Sequence, residues 1–231
     1  MKNNIKIKPS KKQKIEQRIV RTMKQEDLIE RIAEKKYTFI GEIHGTKEIP
    51  EKVKELISML KKRSLIFCGE FPYQAETEIE MYLRGEITKK ELFTSKYLAD
   101  AIYDKRITEE ILKLWSELFK RGSSIKGIED YDLENIQERD KKMAEQFLKI
   151  IKKYPANQYI LYCGGLHLLD KITKISSFTV NPIKIYLPNE IIKEAITIQF
   201  YPGAQEEIRV KDQTIEYYIP LKEINARKLQ L

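Results

Sequence analysis

Two histidines are the only imidazole side chains in this chain of 231 residues, and both end a Gly-x-x-His segment. His44 closes the first segment and His167 closes the second. An imidazole with its ordinary pKa of about 6.5 exchanges protons near neutral pH, and it also binds metal ions. One histidine in such a place is more often a hydrogen-bonded structural residue, but two in the same pattern favour a functional site. The chemistry indicated is activation of water, either by the imidazole itself or on a bound metal ion.

Acidic side chains accompany both histidines. Glu42 lies inside the first segment, although strand alternation points it away from the residues that flank it, and Glu70 follows a second apolar run. Glu70 has an alternative role as a helix cap or turn residue. Asp140 falls on the apolar stripe of a predicted helix, where a carboxylate costs several kcal/mol unless it is paired. Its partner is the adjacent Arg139, a histidine or a metal ion.

These observations predict a set of site residues. The predicted catalytic residues are His44, Glu70 and His167. The residues expected to contact the substrate are Glu42 and Arg139. If a metal ion is bound, its predicted ligands are His44, Glu70, Asp140 and His167.

Apolar segments that alternate with helical patterns predict the strands that carry these residues. The strands are predicted at 37–43, 64–70, 123–131 and 158–165, and the main helices at 25–36, 50–60, 74–84, 108–121 and 132–154. This alternation predicts an α/β fold with a mainly parallel central sheet flanked by helices. Additional C-terminal strands are predicted at 178–186, 194–201, 206–210 and 214–221. Because the carboxyl ends of parallel strands share one edge, we expect His44, Glu70 and His167 to meet there.

The distribution of charge separates a short basic segment from the rest of the chain. The formal net charge is +8, and residues 1–24 contain nine lysines and arginines against one acid. We predict a basic N-terminal arm at 1–24 and a single α/β domain at 25–231. A basic tail is more often a solubilising arm than a binding segment, so we do not expect nucleic acid as a partner.

The composition also favours a cytoplasmic protein without a membrane partner. No run approaches the roughly 18 consecutive apolar residues that a membrane span needs. No apolar segment follows the basic start, as a secretory signal requires. Cys68 and Cys163 are too few for a disulfide framework and are predicted to be small buried side chains.

Four motifs in this order resemble one known superfamily. They are GEIHGTKE at 41–48, CGEFP at 68–72, ERDKKMAEQ at 138–146 and YCGGLHLL at 162–169. Each motif is short, but their ordered combination resembles the erythromycin esterase-like, ChaN-like, TraB and Tiki superfamily over residues 37–170. The resemblance implies an α/β fold with its site at the carboxyl edge of the sheet.

The branches of this superfamily imply different chemistries. The esterase branch implies that His44 is the general base acting on water, with Glu70 and His167 in support. The Tiki branch implies that the two Gly-x-x-His segments hold a divalent metal ion for peptide hydrolysis. The ChaN-like branch implies haem binding.

We therefore expect a hydrolase that acts on an ester or peptide bond of a small molecule or peptide. In this hypothesis His44 activates water directly or through a divalent metal ion, Glu70 orients His44, and His167 polarises the carbonyl or completes the ligand set. The alternative is a haem- or metal-binding protein without catalysis. The chain lacks the large helical insertions of esterase-branch proteins and the membrane segments of Tiki and TraB relatives, so no substrate carries over.

Overall fold

A mainly parallel central sheet organises the computed structural model, which describes residues 21–60, 65–133, 135–156, 158–175, 178–211 and 214–221. The described strands are β1 (Arg21–Thr22), β2 (Tyr37–Glu42), β3 (Leu65–Pro72), β4 (Ser124–Glu129), β5 (Gln158–Gly164), β6 (Thr173–Ile175), β7 (Phe178–Val180), β8 (Ala195–Pro202), β9 (Glu207–Lys211) and β10 (Thr214–Ile219). Eight of these described strands form one sheet in the order β1-β9-β10-β8-β2-β5-β3-β4, and β6 pairs with β7 separately. Neighbours from β10 to β4 are parallel, whereas β9 runs antiparallel to β10 and β1. The predicted fold class is confirmed.

Helices cover both faces of this sheet. The described helices are α1 (Gln25–Glu34), α2 (Glu48–Met59), α3 (Glu76–Arg84), α4 (Lys89–Leu92), α5 (Ala99–Tyr103), α6 (Glu109–Lys120), α7 (Arg139–Lys153) and α8 (Asn189–Lys193). Successive strand residues point to opposite faces, and they enter two hydrophobic clusters. Ile40 of β2 packs in the cluster that contains the apolar stripes of α2 and α6, including Trp115. Phe39 packs in the other cluster, with Phe147 of α7.

The C-terminal strands extend the central sheet. β8 pairs with β2, and β10 pairs with β8. Most of the basic arm predicted at 1–24 lies outside the described residues, but its described end forms β1, which pairs with β9. Among the helices of the described segments, none has the length and apolar character to cross a membrane.

α7 begins at Arg139, later than the predicted start at residue 132. Ahead of it, the side-chain oxygens of Asp130 and Asn135 each accept a hydrogen bond from the backbone N–H two residues further on, at 3.3 and 3.0 Å. Such local bonds compete with helix formation, so the described residues of this segment stay irregular apart from one 3₁₀ turn. Arg139 and Asp140 consequently become the first two residues of the helix.

The strand predicted at 178–186 is wrong beyond β7. Residues Ile183–Tyr186 form a 3₁₀ turn that follows Pro182. Proline has no N–H to give to a strand ladder, so the extended segment ends before it.

β5 lies between β2 and β3 in the sheet, although it follows both of them in the chain. Glu42 at the end of β2 pairs with Gly164 at the end of β5. On the other side, Gly69 of β3 pairs with Tyr162 of β5. Three neighbouring strands therefore end together at one edge, as the parallel arrangement predicts.

Candidate functional site

This carboxyl edge brings both histidines together around Glu70. His44 follows β2 by two residues, and His167 lies in a 3₁₀ turn directly after β5. The Nε2 atom of His44 is 3.5 Å from Glu70 Oε2, and that of His167 is 3.5 Å from Glu70 Oε1. The two histidines therefore share the carboxylate of Glu70, the third residue predicted to be catalytic.

A second carboxylate holds the other ring nitrogen of each histidine. His44 donates from Nδ1 to Glu42 Oε1 at 2.8 Å, and His167 donates from Nδ1 to Asp140 Oδ1 at 2.5 Å. A carboxylate at Nδ1 fixes the orientation of the ring and directs Nε2 away from it. Both Nε2 atoms consequently face Glu70.

Glu70 is buried, with a side chain only 3% exposed, and both of its oxygens are engaged. The backbone N–H of Gly164 donates to Oε2 at 2.6 Å, and Arg139 Nη2 donates to Oε1 at 2.6 Å. Arg139 also donates from Nε to Glu129 Oε1 at 2.7 Å. Arg106 donates to the same Glu129 carboxylate. Two guanidinium groups thus contact the carboxylates of Glu70 and Glu129.

Glu42 is also buried and is tied to the neighbouring strand β5. Its Oε1 atom accepts from His44, and its Oε2 atom accepts from the hydroxyl of Tyr162. Burial and the charge of Glu42 raise the pKa of Tyr162 well above 10.0, so this hydroxyl stays a donor. Tyr162 therefore holds Glu42, which in turn holds His44.

The carboxylates of this cluster favour the protonated forms of both histidines. Its four carboxylates, which outnumber the two guanidinium groups, are Glu42, Glu70, Glu129 and Asp140. Burial has the largest effect and lowers the pKa of His44, but Glu70 and Glu42 together raise it to about 10. Burial likewise lowers the pKa of His167, and Glu70 and Asp140 raise it to about 9. Burial alone would raise the pKa of Glu70, but the charges of His167 and His44 hold it well below 4.5.

Glu42 and Arg139, which we predicted to contact the substrate, line the same cavity as the histidines. The carboxylate of Glu42 is hydrogen-bonded to His44 and Tyr162. The guanidinium group of Arg139 is hydrogen-bonded to Glu70 and Glu129. Glu42 thus holds the ring of His44, and Arg139 holds the carboxylates of Glu70 and Glu129.

The predicted set of metal ligands does not fit the arrangement of side chains. Across the described ranges, no three His, Cys, Asp or Glu side chains are grouped so that they could hold a metal ion. Asp140 is turned to His167 Nδ1, and the oxygens of Glu70 already accept from Gly164 and Arg139. Arg139 also brings positive charge next to the position that a cation would take. Haem binding stays a prediction.

Two residues of the cluster, Arg106 and Tyr162, do not stand out in the sequence. Arg106 lies in the connection between α5 and α6, where no periodic pattern marks it. Tyr162 lies in an apolar strand, where an aromatic residue is typical of the core. The one available signal is its hydroxyl, because a buried phenol needs a hydrogen-bond partner.

The connection that carries Arg106 is held in a strained conformation. Lys105 has a φ of 62°, and its carbonyl accepts a hydrogen bond from the N–H of Gly45 at 3.1 Å. Positive φ at a residue other than glycine costs roughly 1–3 kcal/mol and is common at functional sites. This bond joins the connection to the segment that carries His44.

A cavity of about 1160 Å³ opens at the cluster. Both histidines and Glu70 line it, so a molecule in the cavity reaches the two Nε2 atoms. The site can therefore exchange protons with a bound molecule or with water.

Comparison with known proteins shows the fold. No protein-family model matches this chain, and no curated protein matches its sequence. The type III effector HopBA1 is similar in structure, with a TM-score of 0.63 and 13% identity over 88% of this chain and 98% of that chain. RRSP, a MARTX toxin effector domain from Vibrio vulnificus, has a TM-score of 0.49 and 15% identity over 85% of this chain and 37% of that chain. At these identities the likeness to HopBA1 shows a shared fold and no activity.

The haem-binding protein ChaN of Campylobacter jejuni is also among the similar structures. Its TM-score is 0.48, with 11% identity over 83% of this chain and 91% of that chain. At this TM-score the likeness carries no argument, so the superfamily resemblance stays a prediction.

Proposed function

We propose that this protein is a hydrolase that opens an ester or peptide bond, with His44 as the base that activates water. The observation that carries the proposal is the paired arrangement of the histidines. Each is held at Nδ1 by its own carboxylate, and both direct Nε2 to Glu70 at the cavity. A carboxylate–imidazole pair of this kind exchanges a proton at Nε2 during hydrolysis.

The two histidines take different roles in the proposed reaction. Neutral His44 accepts a proton from water at Nε2 while the water oxygen attacks the carbonyl carbon. Protonated His167 donates a hydrogen bond from Nε2 to the carbonyl oxygen and stabilises the negative charge that develops there. When the tetrahedral intermediate collapses, His44 gives the proton to the leaving alcohol or amine, and the carboxylic acid is released.

Exposure and basicity support His44 as the base. Its side chain is 26% exposed and that of His167 is 16% exposed, so water reaches His44 more easily. Glu70 and Glu42 raise the pKa of His44 to about 10, which makes its neutral form a strong base. Glu42 stabilises the imidazolium that forms when Nε2 takes the proton.

Glu70 supplies the negative charge between the two rings. Its distances of 3.5 Å to both Nε2 atoms are longer than ordinary hydrogen bonds. The two Nε2 positions therefore remain open to water and to a carbonyl oxygen. No step of this mechanism uses a metal ion.

Substitution of each histidine tests the proposal. We expect His44→Ala and His167→Ala to lower kcat/KM for p-nitrophenyl acetate, or for a fluorogenic peptide, by about 10²- to 10⁴-fold, the contribution of a positioned acid–base group. Thermal unfolding of each variant, and of His44→Gln and His167→Gln, separates a chemical defect from a folding defect. Wild-type activity is expected to persist in EDTA. Unchanged activity in folded variants of both histidines would falsify the proposal.

A further inference from the structure

The cavity at the histidines is larger than an ester group alone needs. Its volume of about 1160 Å³ is above the roughly 300–1,000 Å³ of most sites for small ligands. It therefore has room for a large substrate group beside the reacting carbonyl.

Apolar side chains from three parts of the chain form most of the cavity wall. The first part, around α5, provides Phe93, Ala99, Ile102 and Tyr103. The segment after β5 provides Leu166 and Leu169, and the end of β8 provides Phe200 and Tyr201. Phe93 and Ile102 are partly buried against the core, whereas Leu166 and Tyr201 remain 43% and 38% exposed. An apolar ligand that covers these side chains gains free energy in proportion to the area removed from water.

The charged residues of the cavity do not favour a charged substrate. In the resting form, in which both histidines are protonated, the carboxylates of the cluster are matched by the two guanidinium groups and the two histidines. The exposed connection before α6 adds one charge of each sign, Asp104 and Lys105. The apolar side chains of the cavity wall, and not its charged residues, thus determine which substrate is preferred.

We infer that the substrate is a hydrophobic ester, in which the carbonyl carries a long acyl chain or a comparably large apolar group. The inference rests on the proposed hydrolase function for its chemistry and on the cavity wall for its class. The apolar group lies along the wall formed by Phe93, Ile102 and Tyr201, and the carbonyl meets His44 and His167. A charged peptide leaves this wall uncovered.

A chain-length series tests this substrate class. We expect kcat/KM to increase from p-nitrophenyl acetate through the butyrate and octanoate to the dodecanoate, by about two- to fourfold per methylene until the wall is covered. Equal values for acetate and dodecanoate, or a preference for a charged fluorogenic peptide, would overturn the inference while leaving the hydrolase function in place.

A variant that narrows the cavity, compared with a control variant outside it, also tests the substrate class. Ala99 is exposed and lines the cavity, whereas the neighbouring Asp100 is exposed and does not line it. We expect Ala99→Trp to lower the ratio of dodecanoate to acetate kcat/KM at least tenfold and Asp100→Trp to leave it at the wild-type value. An unchanged ratio in folded Ala99→Trp would contradict the inference.

A binding measurement separates failure of the inference from failure of the proposed function. Nile red, a neutral apolar dye, is titrated into the wild type, His44→Ala, Ala99→Trp and Asp100→Trp. Saturable dye binding to every protein except Ala99→Trp supports an apolar ligand even if no ester is hydrolysed, provided that p-nitrophenyl dodecanoate displaces the dye. Absence of dye binding from an enzyme that hydrolyses esters refutes the substrate class alone.

Discussion

His44 and His167 must differ in protonation for the proposed reaction to proceed. The base has to be neutral while the donor to the carbonyl keeps its proton. With pKa values of about 10 and 9, both rings are protonated at neutral pH, so the working form is a minor one there. The resting cluster is therefore electrostatically balanced but mostly inactive at neutral pH.

The pH dependence of activity follows from these values. We expect kcat/KM to rise about tenfold per pH unit below pH 9, to reach a maximum between 9 and 10, and to fall above that range. Since both rings contact Glu70, the two limbs belong to the pair. The measurement is the initial rate against pH for a neutral ester, corrected for spontaneous hydrolysis.

Asp140→Asn provides the control for this profile. The substitution removes a carboxylate that raises the pKa of His167, so the rising limb is expected to level off at a lower pH. A profile that is flat from pH 6 to 9 would mean that His44 acts in its protonated form.

The sequence identifies the residues of this cluster unevenly. His44, Glu70 and His167 follow apolar runs, and parallel strands bring such ends together, so their proximity can be predicted. The contact between Asp140 and His167 was one of three open alternatives. Arg106 could not be predicted, because its position depends on the strained backbone at Lys105 and on no local pattern.

At the level of elements, the ring of His44, which follows β2, approaches the end of β5 closely because Gly164 has no side chain. A Cβ atom added there would lie 2.8 Å from His44 Nε2 and 3.5 Å from Glu70 Oε2. Gly164 has a φ of −56°, a backbone conformation that any residue can adopt. The first glycine of the second Gly-x-x-His segment therefore makes room for the ring of the other histidine.

Gly164→Ala is expected to displace His44 and to lower kcat/KM about 10²-fold, the usual effect of a misplacement of about 1 Å. The matched control is Gly122→Ala, where φ is 80° and the added Cβ has no close neighbour. There we expect a loss of about 1–2 kcal/mol in the free energy of unfolding and no loss of activity. Ester hydrolysis and urea denaturation measure the two effects, and a fully active Gly164→Ala would contradict this account.

The sequence predicts some helices and strands accurately and the ends of others poorly. α6 begins close to the predicted start at residue 108, where Thr108 caps the helix and its side chain accepts from the N–H of Ile111 at 3.3 Å. The buried strands are predicted well because their apolar runs are short and end at glycines. The start of α7 and the turn after Pro182 were missed, because side-chain bonds to the backbone and a proline override the apolar pattern.

For the molecule as a whole, the buried charge cluster links folding to pH. The folded state raises the pKa of both histidines above 6.5, so their stabilisation is complete below pH 6.5 and is lost as pH rises toward 9 to 10. The folded state lowers the pKa of Glu70, so its stabilisation is present above pH 4.5 and is lost as pH falls. The stabilisation from the histidines and that from Glu70 are therefore both complete only between pH 4.5 and 6.5.

We therefore expect the free energy of unfolding to be greatest between pH 4.5 and 6.5 and to decline toward pH 9. Urea denaturation followed by circular dichroism at a series of pH values measures it. In the double variant His44→Gln/His167→Gln the decline above pH 6.5 should flatten. Stability that increases from pH 6.5 to 9 would be inconsistent with these histidine pKa values.

The position of β5 between two strands that precede it also affects synthesis of the protein. While the ribosome is still making residues 73–157, β2 and β3 lack the strand that separates them, and their edges are open to pairing with another chain. Glu70 lacks its N–H partner from Gly164 until β5 enters this gap. A growing chain is thus prone to aggregation, and the proposed activity begins only after β5 has been inserted.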